Sequence, residues 1–176
     1  GEDHYAGTAP SLADLDADGK PEVIQGRVAL NGADGSLKWK GEGSVGTNGF
    51  MGPVSVVSDP DLDGQLNVLA GNTMYDADGS IVWTYEFADK STDDLCQGGE
   101  KWPCTGFTAV GNFDKEPQGE VVIVRMGAIY ILEHDGKLLE RNGLAAKIAI
   151  PIDGCDKNEG GPPTVADFDG DGEAEV

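Results

Sequence analysis

The sequence predicts an all-β chain built from β-propeller blades of four antiparallel strands, about three blades followed by the start of a fourth. Three observations carry this expectation. An acid-rich nine-residue pattern begins at residues 14, 59, 112 and 167, spacings of 45, 53 and 55 residues, which are typical of propeller blades. Short β-rich runs flank each copy, with Asp-Gly turns between the later runs, and no segment shows convincing helical periodicity. A four-stranded unit of this size buries only part of its apolar surface, so it needs neighbours on both faces.

The elements recur in a constant order. Leu12, Val57, Val110 and Val165 stand two residues before a motif, and Ala13, Ser58, Gly111 and Ala166 one before it. An apolar residue followed by a small one predicts a short first strand packed at close quarters. Val23-Ile24, Val68-Leu69 and Val121-Val122-Ile123, behind the motifs, predict a second strand. A hairpin then supplies the third and fourth. In the first copy Val28-Ala29-Leu30 turns through Asn31-Gly32-Ala33-Asp34-Gly35 into Ser36-Leu37-Lys38-Trp39; in the second, Met74-Tyr75 turns through Asp76-Ala77-Asp78-Gly79 into Ser80-Ile81-Val82-Trp83. In the third, Ile129-Tyr130-Ile131-Leu132 turns through Glu133-His134-Asp135-Gly136 into Lys137-Leu138-Leu139. Asp-Gly accommodates the positive φ of a tight reversal, which accounts for Asp34, Asp76, Asp78 and Asp135 without a metal.

The expected organisation is one repeat domain over residues 1–176, with blades at about 7–48, 49–105 and 106–159 and a partial blade at 160–176. Three blades and a start do not close a ring. Val176 follows the last acid of the fourth motif directly, where earlier copies continue into apolar residues. The chain is therefore expected to be a piece of a longer protein, with further blades from the same or a neighbouring chain.

The motifs themselves are metal-ligand patterns. They read Asp14-Leu-Asp16-Ala-Asp18-Gly19-Lys20-Pro-Glu22, Asp59-Pro-Asp61-Leu-Asp63-Gly64-Gln65-Leu-Asn67, Asn112-Phe-Asp114-Lys-Glu116-Pro117-Gln118-Gly-Glu120 and Asp167-Phe-Asp169-Gly-Asp171-Gly172-Glu173-Ala-Glu175. Oxygen-bearing side chains at positions one, three, five and nine, with the backbone carbonyl of position seven (Lys20, Gln65, Gln118, Glu173), form the ligand set of a hard cation, above all calcium. An EF-hand is excluded, because it needs a carboxylate at position twelve and flanking helices.

In this pattern, and in the preceding Gly7-Thr-Ala9-Pro10, Gly49-Phe50-Met-Gly52-Pro53, Gly106-Phe107-Thr-Ala109 and Gly160-Gly161-Pro162-Pro163, the whole chain resembles the FG-GAP and VCBS repeat family. That resemblance implies integrin-like propellers with an Asp-x-Asp-x-Asp-Gly-x-x-Asp/Glu calcium loop, and up to four calcium ions here. It implies complete sites at the first and fourth motifs and a modestly weakened second, where Asn67 is neutral. At the third, Asn112, Glu116 and Pro117 depart from the pattern, and an empty or distorted site is expected. The Trp39 and Trp83 hairpins are also similar to repeats of quinone-dependent dehydrogenase propellers, although a Trp on the outer strand reads as a packing residue between blades.

Charge and composition narrow the function. The 32 acids and 12 bases give a net charge of −20, which repels nucleic-acid phosphates and anionic membranes. No apolar run reaches membrane-span length. Cys96 and Cys104 sit close together in an insertion rich in Gly, Asp and Lys and are expected to form a disulfide, with Cys155 left over; all three pairings remain open to sequence reasoning. His134 reads as a solvated turn residue. Trp102, Phe107 and Phe50 lie near loops, where burial is the expected fate, although contact with a sugar is the alternative. No nucleophile elbow, zinc-binding helix or phosphate-binding glycine pattern is present, so no catalytic residue is identified.

The expected function is a secreted or surface-displayed recognition or adhesion module with structural calcium and a protein or glycan ligand. The alternatives are the non-catalytic part of a larger polysaccharide lyase, hydrolase or quinone-type oxidoreductase, and a self-assembling repeat protein.

Overall fold

The computed structural model describes residues 9–48, 52–88, 104–141, 144–145, 147–149 and 161–176. The described residues are all β, in open antiparallel sheets. Strands β1 (Ser11–Ala13), β2 (Glu22–Gln25), β3 (Val28–Leu30) and β4 (Leu37–Lys40) form the first sheet in chain order. Strands β5 (Val56–Ser58), β6 (Asn67–Ala70), β7 (Thr73–Tyr75) and β8 (Ile81–Thr84) form the second. The third contains β9 (Phe107–Gly111), β10 (Glu120–Arg125), β11 (Ala128–Leu132) and β14 (Lys147–Ala149), while β12 (Glu140–Arg141) and β13 (Leu144–Ala145) pair only with each other.

The predicted strands are found in the first two sheets, and the third differs at its edge. Lys137-Leu138-Leu139 does not form a full outer strand. A single bridge joins Leu138 to Leu132, and the amide of Leu139 donates to the carbonyl of Ile131. The other half of β11 pairs with β14. The β12–β13 hairpin thus divides the edge into two short pieces, and β14, within the expected third blade, follows the predicted outer strand instead of belonging to it.

Alternation along the strands assigns one face of each sheet to each neighbour. Ile24, Ala29 and Trp39 of the first sheet meet Val68, Ala70 and Tyr75 of the second. The opposite face of the second sheet, with Leu69 and Met74, meets Val121, Ile123, Tyr130 and Leu132 of the third. Val122, Val124 and Ile131, on the far face of the third, are covered by Val165 and Ala174 around the fourth motif. β6 and β10 are consequently buried along their full length. First strands lie next to one another, and the Ser11 hydroxyl donates to the Ser55 carbonyl at 2.6 Å.

One apolar row recurs in all three sheets. Leu12, Val23, Leu30 and Leu37 are cross-strand neighbours in the first, matching Val57, Val68, Tyr75 and Ile81 in the second. Val68 and Tyr75 are fully buried, whereas Leu12 and Leu37 are 68% and 60% exposed.

Trp39 and Trp83 each lock their sheet to the next hairpin turn. Trp39 Nε1 donates to the Ala77 carbonyl at 2.8 Å, and Trp83 Nε1 to the His134 carbonyl at 2.9 Å. The indoles lie on the turn glycines: a Cβ on Gly79 would stand 2.6 Å from the Trp39 ring, and one on Gly136 2.7 Å from Trp83. Both glycines also hold positive φ, +86° and +81°. Trp39 and Trp83 therefore pack between sheets. His134, expected to be solvated, is half-buried, with Nδ1 shielded from solvent and without a hydrogen-bond partner.

Beneath Trp39, the Tyr75 hydroxyl donates to the Ser44 carbonyl at 2.7 Å. Burial pushes this phenol up to about 12. Its folded pKa thus exceeds the unfolded value of about 10, so the contribution is intact below pH 10 and is lost as pH rises through 12, at up to about 1.4 kcal/mol per pH unit. Chemical denaturation at pH 9 and 11 is expected to show this slope in the parent chain and a smaller one in Tyr75→Phe; equal slopes would exclude the assignment.

Cys104 is buried and disulfide-bonded. Cys96 and Cys155 lie outside the described residues, as do Phe50 and Trp102. Phe107 is buried, 1% exposed.

Candidate metal centres

In motifs one, two and four, the leading Asp gathers the loop around its own carboxylate. Asp14 accepts from the amides of Asp18 at 3.0 Å and Gly19 at 2.8 Å. Asp59 accepts from Asp63 at 3.1 Å and Gly64 at 3.0 Å, and Asp167 from Asp171 at 3.1 Å and Gly172 at 2.9 Å. The fifth-position Asp takes the amide of the seventh residue, Lys20 to Asp18, Gln65 to Asp63 and Glu173 to Asp171, each at 2.8 Å.

This path needs left-handed backbone twice. Position six supplies it with Gly19, Gly64 and Gly172 at φ of +86°, +88° and +92°. Position four is left-handed as well, at Ala17 (+56°), Leu62 (+59°) and Gly170 (+78°). For Ala17 and Leu62 this costs roughly 1–2 kcal/mol each, offset by the amide bonds to the leading Asp.

The third motif takes another path, because Pro117 holds φ near −65°. Asn112 Oδ1 accepts from the Asp114 amide at 3.2 Å, and its Nδ2 donates to the Glu116 carbonyl at 2.6 Å. The Glu116 amide donates to Asp114 Oδ1 at 2.7 Å.

Position nine has a structural task that the sequence reading missed. Glu22, Glu120 and Glu175 each accept from the amide of position two, Leu15 at 2.9 Å, Phe113 at 2.5 Å and Phe168 at 2.8 Å. The second motif has Pro60 at position two, which has no amide to donate, and there position nine is the neutral Asn67. Asn67 Nδ2 instead donates to Asp76 Oδ1 at 3.2 Å. Asp76, which turn formation alone seemed to explain, thus lies beside the second motif. Asp34, Asp78 and Asp135 do serve their turns, accepting from the amides of Ser36, Ser80 and Lys137.

Carboxylate oxygens within 4.8 Å of one another occur in four groups among the described residues: Asp14, Asp16 and Asp18; Asp59, Asp61 and Asp63; Asp114, Glu120 and Glu133; and Asp167, Asp169 and Glu175. Three are made entirely of predicted ligands. Glu22, Glu116 and Asp171 fall outside these groups, and Glu133 joins from a hairpin turn.

The donor chemistry fits a hard divalent cation. Asp61 Oδ1, Asn67 Oδ1 and Glu120 Oε1 are buried without a hydrogen-bond partner, a cost of about 1–3 kcal/mol each that cation coordination would offset. Burial, and then the neighbouring Asp63, raises the Asp61 pKa. Burial likewise raises Glu120 and Glu133, each with a further contribution from Asp114. An oxygen-only set of this size suits calcium.

The first motif carries a cation of its own. Lys38 Nζ lies 2.5 Å from Asp16 Oδ2 and 3.1 Å from Glu22 Oε1. Its hydrogen bond is the largest cause of the lowered Asp16 pKa. The site that appeared complete in sequence therefore has Asp16 and Glu22 engaged by the Lys38 ammonium, and Asp18 by that of Lys20 at 3.4 Å. Lys38→Met is expected to tighten calcium binding at this motif by about tenfold, the equivalent of one charge-assisted hydrogen bond that no longer has to be broken. Calorimetric calcium titration would show one class of sites shifting; unchanged isotherms would rule the competition out.

No family model matches the sequence, and no curated protein does. Two solved structures are similar to it. The biofilm matrix protein Bap1 of V. cholerae aligns with a TM-score of 0.55 and 24% identity over 76% of this chain and 20% of that one. The rhamnogalacturonan lyase YesW aligns with a TM-score of 0.43 and 21% identity over 76% of this chain and 21% of that one. This chain thus spans about a fifth of each, and the likeness to Bap1 is one of fold.

Proposed function

We propose that this chain is a calcium-stabilised β-propeller repeat module of the FG-GAP and VCBS kind, extracellular and used for recognition or adhesion of a protein or glycan. The observation that carries the reading is the shared loop of motifs one, two and four: a leading Asp saturated by two loop amides, left-handed residues at positions four and six, and three carboxylates brought within 4.8 Å. Solvated Asp-Gly turns have no reason to repeat that geometry. Calcium is structural in this reading, holding the loops between first and second strands.

Two observations support an extracellular setting. Cys104 is disulfide-bonded, as expected in an oxidising compartment, and the structurally similar Bap1 is a biofilm matrix protein. Among the described residues no helix is long and apolar enough to cross a membrane. The stacked sheets, with first strands adjacent and each outer-strand Trp resting on the next turn, are consistent with successive blades. Calorimetric calcium titration tests the ion, and absence of uptake at millimolar calcium overturns the reading. A glycan array in calcium buffer then separates a glycan ligand from a protein one.

A further inference from the structure

We infer that the third motif holds a divalent cation through a rebuilt ligand set, Asp114 and Glu120 from the motif and Glu133 from the β11 hairpin turn. The inference rests on the calcium reading of the other motifs and extends it to the one whose sequence departs most from their pattern.

The geometry starts with Glu120. Its side chain is fully buried, with Oε2 engaged by the Phe113 amide and Oε1 unpartnered. Glu120 belongs to a group in which it, Asp114 and Glu133 each bring a carboxylate oxygen within 4.8 Å of the others. Among the described residues no salt bridge joins a Lys or Arg to the group: Lys137 pairs with Asp135 and acts on Glu133 only from a distance. Three carboxylates crowded at the end of a buried strand repel one another unless a cation joins them, and oxygen ligands alone select a hard one.

A comparison across the repeats supports the assignment. Where the outer strand carries Lys38, the first residue of the hairpin turn is the neutral Asn31. Where the matching outer-strand residues are the apolar Val82 and Leu139, the turn begins with an acid, Asp76 or Glu133. The positive charge is thus built into the first repeat, whereas the third adds a ligand. Pro117 and Asn112 have removed the usual leading-Asp cradle, and Glu133 supplies a carboxylate from the adjacent turn.

The test is calcium titration of the full chain by calorimetry, with melting in chelator alongside. Glu133→Gln is compared with the parent and with Asp135→Asn, a change in the same turn but outside the group. The expected result is that Glu133→Gln binds one ion fewer, or one ion at least tenfold more weakly, while Asp135→Asn matches the parent. In chelator, Glu133→Gln is expected to melt no lower than the parent, because a repelling charge is gone; a purely structural role would lower it. If the parent binds calcium and Glu133→Gln binds the same number equally well, this inference fails and the calcium reading stands. If the parent binds no calcium, both fail.

Discussion

Removal of calcium is expected to lower the melting temperature by on the order of 20 °C. An ion present at a hundred times its dissociation constant stabilises the folded state by about 2.7 kcal/mol per site, so three such sites contribute about 8 kcal/mol. In a chain of this size each kcal/mol shifts the midpoint by about 2–4 °C. The ion-free state bears an added cost, because Asp61, Asn67 and Glu120 each keep a buried acceptor without a partner. Melting in saturating calcium and in excess chelator, at constant ionic strength, measures the difference. A midpoint that does not move would mean that the loops hold without an ion.

Replacing Trp39 by Ala is expected to cost about 3–5 kcal/mol, the range for truncating a large buried aromatic. The indole is 9% exposed, donates to Ala77, packs 6.1 Å from the Tyr75 ring and rests on Gly79. Gly79→Ala attacks the same contact from the other side, adding backbone strain of about 1–2 kcal/mol to a methyl that the indole cannot accommodate. Gly35 provides the internal control: it is also left-handed, at φ +71°, but a Cβ there meets nothing within 4 Å. Gly35→Ala should therefore cost the strain alone, and Gly79→Ala distinctly more. In the Trp39→Ala background the Gly79 penalty should fall to that of Gly35, a coupling visible in a double-mutant cycle. Equal penalties at Gly35 and Gly79 in the parent would remove Trp39 from the explanation.

The strands before and after the motifs and the Asp-Gly hairpins were readable because their signals are local: alternating apolar residues and a glycine where the backbone must turn left-handed. The outer edge of the third sheet was not, since β14 reaches β11 across the β12–β13 hairpin and no local pattern announces so distant a pairing. The same distinction applies at the metal centres. Asp14, Asp59 and Asp167 declare themselves by spacing within one loop. Lys38, Asp76 and Glu133 reach the motifs from hairpins, and only the register of β3 with β4, β7 with β8 and the turn after β11 brings them there. Aligning the first residue of each turn, Asn31, Asp76 and Glu133, against its outer-strand partner would have been the available clue. The Pro60 and Asn67 pairing was equally open to reasoning, but only once position nine was known to accept an amide from position two.

The unmatched row on the first sheet has a consequence for association. Successive sheets meet back to front, so the contact is heterologous: the surface given by one partner differs from the surface taken by the other. Such a contact lacks a two-fold axis and does not end with a pair. Leu12 and Leu37 are exposed at the rim of this face, and Val68 and Tyr75, the equivalents of its half-buried Val23 and Leu30, are fully buried one sheet further on; a Cβ on Gly35 meets nothing within 4 Å, where one on Gly79 meets the Trp39 indole. A sheet added to this face would therefore have a set direction, because the two sides of such a contact are not alike.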